Sequence, residues 1–491
     1  MKNVTSMALA LALAACSTGP DYVRPATTAS AAGPFVAANS PAVSPAPVPD
    51  DWWRLYSDPI LDGLIADALA HNTDVRAAVA RLSRARASLR EVKVDRLPQG
   101  GVSASATRGR DLGKTDAATG FDAGLAVAYE VDLFGRVQRG VEAARGDVGA
   151  AEADADAVRI AIVADTARAY ADASSAAERL AVAGHIVELL DESLRITEKQ
   201  VEIGQTTRLD TARIAALRNQ RQAEIPAITA ERDSALFRLA TLTGRPPSEL
   251  PAAAGARKSS LDLARPIPVG DGAQLLSRRP DVRAAERRLA AATARIGVAT
   301  AELYPQISIG GSVGSSASSV GNLLSNPVGF LLGPLISWSF SDHARARARV
   351  AGSEAGAEEA LAQFDGTVLR SLEETETALS AYANALRRRE ALKATRDEAG
   401  VAARIVRAQQ REGQVDSLVL LDAERTFAES EADLAEMNGR VADAQINLFR
   451  ALGGGWSYGV QKVAATTDLP QRLFPTRNEL SYNRTARVAF E

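Results

Sequence analysis

Apolar residues recur along this chain with two different periods, and each period predicts a different element. Leu61, Leu64, Ile65, Ala68 and Leu69 form a helical stripe that Val75, Val79, Leu82 and Leu89 extend. Further on, Val187, Leu190, Leu194 and Val201 step by 3, 4 and 7 residues. Leu361, Phe364, Val368, Leu372, Leu379, Tyr382 and Leu386 make a narrow seam, and Leu434, Met437, Val441, Ala444 and Leu448 another. Charges fill the remaining faces, the pattern of coiled-coil contacts. The proline-free stretch 136–203 would span roughly 100 Å as one helix. Pro226 should interrupt and kink the helix that returns from it.

The second period is two. Phe121, Ala123, Leu125, Val127, Tyr129, Val131 and Leu133 alternate with Asp122, Gly124, Ala126, Ala128, Glu130 and Asp132. Ile307, Ile309 and Val313 alternate with Ser308, Gly310, Ser312 and Gly314. Val328, Phe330 and Leu332 lead into Ile336, Trp338 and Phe340, and Val102–Thr107 is a weaker fourth candidate. One apolar face and one small or polar face fits a half-buried strand. It equally fits a barrel strand with lipid outside and water inside, about 9–11 residues long. Four strands cannot close such a barrel, because single-chain barrels begin at about 8. Open edges in lipid leave backbone groups unsatisfied, so several chains would have to contribute.

The two kinds of element are repeated. Leu97-Pro98-Gln99 corresponds to Tyr304-Pro305-Gln306, Gly204-Gln205 to Gly413-Gln414, and Leu242-Thr243-Gly244 to Leu452-Gly453-Gly454. The offsets are 207, 209 and 210 residues, too long for a solenoid repeat, so one body has two similar halves. The expected organisation is a signal peptide over 1–15, a flexible segment over 16–50 and a first repeat over 51–250. A connector over 251–277, a second repeat over 278–456 and a poorly ordered tail over 457–491 complete it.

Composition narrows the function. Of 491 residues, 57 are Lys or Arg and 60 are Asp or Glu, so the basic excess a nucleic-acid binder needs is missing. Aromatic residues are only 5% against 46% apolar overall, which suits close-packed, Ala-rich helices. One cysteine and three scattered histidines (His71, His185, His343) argue against a multi-thiolate or histidine metal site. The lone Cys16 ends a short apolar run, Met7 to Ala15, preceded by Lys2; that run is a secretory signal too short to span a bilayer. Leu13-Ala14-Ala15-Cys16 resembles the bacterial lipobox, which makes Cys16 the acylated residue of a lipoprotein, and Ser17 favours sorting to the outer membrane.

Gly109-Arg110-Asp111-Leu112-Gly113-Lys114-Thr115 approaches a phosphate loop. It is one residue short, and strand follows it where a helix is required, so a barrel turn is the better reading. The basic run Arg345-Ala346-Arg347-Ala348-Arg349 is read as a solvated helix start in preference to a lipid-headgroup contact. No carboxylate pair stands out as an acid/base dyad, and neither an enzyme nor a cofactor is expected.

With these elements in place the chain resembles the TolC-like outer-membrane efflux proteins, in their NodT-type lipoprotein branch. The resemblance rests on Gly19-Pro20-Asp21-Tyr22 with Arg24-Pro25, Asp51-Trp52-Trp53, and Tyr129-Glu130-Val131-Asp132-Leu133-Phe134-Gly135. Arg278-Arg279-Pro280-Asp281 with Ala285-Glu286, and Leu452-Gly453-Gly454-Gly455-Trp456, complete the match over about 20 to 456. It implies an α + β membrane protein: a homotrimer with a 12-stranded outer-membrane barrel, four strands per chain, over a long α-helical periplasmic tunnel. It also implies a passive exit channel for drugs and toxic compounds in a tripartite efflux pump. The implied partners are a periplasmic membrane-fusion adaptor, an inner-membrane transporter of RND type and outer-membrane lipid.

The resemblance further implies that the tunnel closes near the pattern Gly413, Leu418, Asp422 and Arg425, in which Gln410 stands where relatives often carry tyrosine. The last three residues share one helix face. Three copies would form a leucine constriction and a cation-favouring acidic ring, with Arg425 pairing a carboxylate on a neighbouring helix. Asp422→Ala is expected to raise conductance and weaken cation selectivity. Leu209 and Arg213 take the places of Leu418 and Asp422 in the first half, so only one half would supply the acidic ring. A lipid-anchored periplasmic coiled-coil scaffold is the alternative, and it has no need of lipid-facing rows such as Val127, Tyr129, Val131 and Leu133.

Overall fold

In a computed structural model, residues 17–38, 40–110, 117–263, 265–323, 325–338 and 342–454 are described. Cys16, the signal peptide, most of the phosphate-loop-like run and the tail 457–491 lie outside them. The first half comprises α1 (Pro59–His71), α2 (Thr73–Val94), β1 (Gln99–Gly109), β2 (Ala118–Glu130), α3 (Arg136–Glu202) and α4 (Arg208–Leu242). The second half repeats that order with α5 (Gly272–Arg278), α6 (Pro280–Ala301), β3 (Gln306–Ala317), β4 (Gly329–Ser337), α7 (His343–Arg411) and α8 (Ser417–Ala451). Two of the matching helix pairs agree in length: α2 and α6 have 22 residues each, and α4 and α8 have 35 each.

The helix ends explain the duplicated glycines. At Gly204 and Gly413 the chain takes a left-handed conformation (φ 76° and 69°). The Gln205 amide then donates to the Gln200 carbonyl at 2.8 Å, and the Gln414 amide to that of Gln409 at 2.9 Å. Both closures satisfy carbonyls that the last helical turn leaves without partners. Gly244 and Gly453 end α4 and α8 in the same way (φ 70° and 68°). The equivalent of Gly244 is therefore Gly453, 209 residues on, and the pairing of Leu242-Thr243-Gly244 with Leu452-Gly453-Gly454 shifts by one. The long helices differ: α3 has 67 residues and α7 has 69. They start 207 residues apart, at 136 and 343, and end 209 apart, at 202 and 411. Two extra residues inside a helix turn its far end by about 200° relative to its counterpart.

The four strands form one antiparallel sheet in the order β1-β2-β3-β4. Its register carries the alternation across every strand. Val102, Leu125, Val313 and Phe330 lie opposite one another in a row, followed by Val127 with Gly311 and Leu332, then Tyr129 with Ile309 and Pro334. The opposite face is built from Ser103, Gly124 and Gly314, then Ser105, Asp122 and Ser316. β2 stops at Glu130, and Val131 and Leu133 belong to the elbow that follows. Phe330 is 85% exposed and Leu332 77% exposed, and β1 and β4 pair on one side only within the chain. Such a surface is stable only in lipid and only with its edges paired.

Three expectations change. The segment 24–50 is packed against the body. Phe35 and Val48 are buried, Glu376 on α7 accepts from the Val36 and Ala37 amides at 2.7 and 2.8 Å, and Val43–Ser44 pairs with Ile267–Pro268. These partners are far away in sequence, so composition alone read as a linker. Pro226 sits inside an unbroken α4; it costs one backbone donor, and the packing of α4 against α3 outweighs it. On α3 the buried seam is Ala183, Ile186, Leu190, Ser193 and Thr197, with Val187, Leu194 and Val201 half-buried on its flank. Small polar residues suit the closest helix approach there, where a large apolar one would not fit.

Candidate functional site

The motifs that carry the family resemblance position the parts of the fold. Asp132 caps α3, accepting from the Val137 and Gln138 amides at 3.0 and 2.7 Å, and left-handed Gly135 aims the chain from strand into helix. Arg279 reaches the Ala451 carbonyl at 3.1 Å and so closes the end of α8, while Arg278 holds the Val48 carbonyl and Asp50. Trp52 is fully buried and stacks on Phe449 with ring centroids 4.6 Å apart. A Cβ on Gly454 would come within 2.7 Å of that indole, which explains the glycine beside the tryptophan. Together these contacts fix the start of α3 to the sheet and the end of α8 to the waist of the molecule. The basic run begins α7 as a solvated helix start: Arg345 pairs with Asp342 at 2.9 Å and Arg349 with Glu302 at 2.6 Å.

At the opposite end, the tips of α4 and α8 lie side by side. A cavity of ≈ 340 Å³ between them is lined by Arg213, Leu217, Leu418, Leu421, Asp422 and Arg425. Leu418 is 51% exposed, and Asp416 caps α8 just before it. Within this chain Nη2 of Arg425 donates to Oδ1 of Asp422 at 2.9 Å, one turn back on α8, with both side chains exposed on one face. The Asp422 carboxylate is thus accompanied by its own cation, and Arg213 lines the same cavity.

The sequence reading missed three contacts. Gln410, 4% exposed, donates from Nε2 to Oε1 of Gln200 at 2.6 Å, tying the end of α7 to the end of α3. Arg221 on α4 reaches Glu429 on α8 at 3.3 Å. Arg407 on α7 forms a forked pair with Glu424, whose side chain is 3% exposed, on α8. The first two join the hairpin α3–α4 to the hairpin α7–α8; the third holds the second hairpin together. Only the tyrosine-to-glutamine departure at 410 was a usable signal, since the other charges look like any helix surface in sequence.

Nearer the waist, Asp443 of α8 faces Asp172 of α3. Burial, then the neighbouring Asp172 carboxylate, push Asp443 up to about 6, with Arg168 opposing. Burial also raises Asp172, against Arg168 and Arg238. Among the described residues no group of three His, Cys, Asp or Glu side chains is arranged to hold a metal ion, and no helix is long and apolar enough to cross a membrane.

Comparison with known proteins agrees with this architecture. The family model described as outer membrane efflux protein matches residues 64–245 and 272–454, one segment for each half. Outer membrane protein OprJ of Pseudomonas aeruginosa is 32% identical over 471 residues, covering 93% of this chain and 96% of that protein. Nodulation protein T of Rhizobium leguminosarum bv. trifolii is 28% identical over 463 residues, covering 92% and 97%. Among solved structures, the outer-membrane channel OprN superimposes with a TM-score of 0.85 at 36% identity, covering 90% of this chain and all of that one. The open edges of β1 and β4 are thereby accounted for: three chains give four strands each to one 12-stranded barrel, above a helical tunnel built from the two hairpins of every chain. With its duplicated hairpins and its lipid-facing sheet, the chain belongs to the outer membrane efflux protein family, the outer-membrane channels of tripartite efflux systems.

Proposed function

We propose that the channel is a passive exit duct whose periplasmic aperture is opened by movement of α7–α8 against α3–α4. Leu418 forms its constriction, and the Asp422–Arg425 pair lines the wall beside it. The observation that carries this reading is the thinness of the connection between the hairpins at their tips. Beyond a small apolar cluster of Ile186, Leu190, Leu217 and Ala428, it consists of one amide pair, Gln200–Gln410, and one ion pair, Arg221–Glu429, against the longer seams within each hairpin. Two such polar contacts contribute about 1 kcal/mol each, small enough for a docked partner to outweigh. Cys16 carries the lipid anchor. A periplasmic adaptor and an inner-membrane transporter of RND type deliver drugs and other small toxic molecules. No residue has a catalytic role.

Planar-bilayer recording tests this. The wild type should show a small conductance, and the double variant Gln410→Ala/Arg221→Ala a several-fold larger one with the trimer intact. Asp422→Ala should also raise conductance, by freeing Arg425. Equal conductance in wild type and double variant would remove these residues from the gate.

A further inference from the structure

Cation selectivity looked from the sequence like a property of the periplasmic aperture, but Asp422 there has its own counter-ion at 2.9 Å. The sheet offers a different candidate. Its tunnel-facing positions are the ones opposite the apolar rows: Gly101, Ser103, Ser105 and Thr107 on β1, and the even-numbered residues of β2 and β3. Across all four strands these positions are serine, threonine, glycine, alanine, glutamine and leucine, with two exceptions, Asp122 and Glu130. Glu130 is paired: Nε of Arg136 donates to it at 2.8 Å. Asp122 has only the Ser105 hydroxyl, at 3.3 Å, and no ion-pair partner among the described residues. It lies four residues into β2 from the end remote from the helices, so it sits in the outward half of the barrel.

We propose that Asp122, three times over in the trimer, is the residue that makes the exit prefer cationic over anionic solutes. The inference rests on the channel reading given above. The three carboxylates face a wet lumen with no basic side chain at any tunnel-facing position of the described strands to offset them; Arg108 of β1 lies on the opposite face. The rows around them are stripped of bulk by Gly124 and Gly314, where a Cβ on Gly314 would come within 2.8 Å of the Ala123 carbonyl. A ring of uncompensated carboxylates in a pore lowers the energy of a passing cation and raises that of an anion. Being solvent-exposed, it acts only over about a Debye length, near 10 Å at 0.1 M salt and 3 Å at 1 M. The preference is therefore stronger in dilute salt.

The test is the reversal potential of purified trimers in a potassium chloride gradient, in the Gln410→Ala/Arg221→Ala background so that the aperture does not limit the current. Asp122→Asn, a nearly isosteric change on an exposed face, should bring the cation-to-anion permeability ratio from several-fold to about 1. Asp122→Lys should invert it. A preference that survives Asp122→Asn, or is as strong at 1 M as at 0.1 M salt, overturns the proposal alone. Intact trimers that conduct in no variant contradict the channel reading along with it.

Discussion

The two hairpins of the chain have matching turns and matching short helices, yet they are packed very differently. α3 is buried along most of its length because α2, α4, α6 and α8 all lie against it. α7 packs mainly on α6 and α8, and exposes Leu361, Leu369, Val401 and Ile405. One long helix is the spine of the protomer, while its duplicate presents an apolar row that only another chain can cover. The two extra residues of α7 make this divergence possible. Two residues correspond to about half a helical turn.

The contrast is sharpest for a charge placed on each seam. Leu190, 1% exposed on α3, should not tolerate Asp: an unpaired buried carboxylate costs at least about 4 kcal/mol, and no folded protein should be recovered. Ile405→Asp on α7 should leave the protomer's circular dichroism unchanged but abolish the trimer in size-exclusion chromatography. Were both variants to yield trimers, the division of labour between the helices would be wrong.

A step smaller is Arg407→Ala, which strands Glu424 at the α7–α8 contact. A loss of about 3 kcal/mol is expected locally, seen as faster amide exchange over residues 400–430 with α3 unaffected. Next comes the acidic pair at the waist. Because burial raises Asp443 above its unfolded value, its protonation favours folding. That contribution is complete below about pH 4 and is lost as pH rises through about 6, on the order of 2 kcal/mol in all. Asp443→Asn should flatten the melting temperature across that window and raise it at pH 7.5. The smallest effect belongs to Arg425→Ala. The pair it breaks with Asp422 is exposed, so stability should change by less than about 1 kcal/mol while conductance changes visibly.

Much of the fold was legible because it is written in period. The strand rows at Leu125, Val127 and Tyr129 emerged on one face, and Gly204 and Gly413 proved to be equivalent turns. What escaped was whatever depends on partners distant in sequence. The strap around Phe35 and Val48 has linker composition and is held by Glu376, more than 300 residues away. At the tips, Leu418, Asp422 and Arg425 do share a face, but the partner of Arg425 follows from side-chain geometry that spacing does not contain. Gln410 was noticed as a departure, and its bond to Gln200 became visible only once α3 and α7 were laid side by side.

The central claim is that one chain supplies a third of a barrel, and mass measures it directly. Light scattering on the detergent-extracted particle, with the detergent contribution subtracted, should give the protein mass of three chains. A single-chain mass, with the β1 and β4 edges left open, would contradict the account.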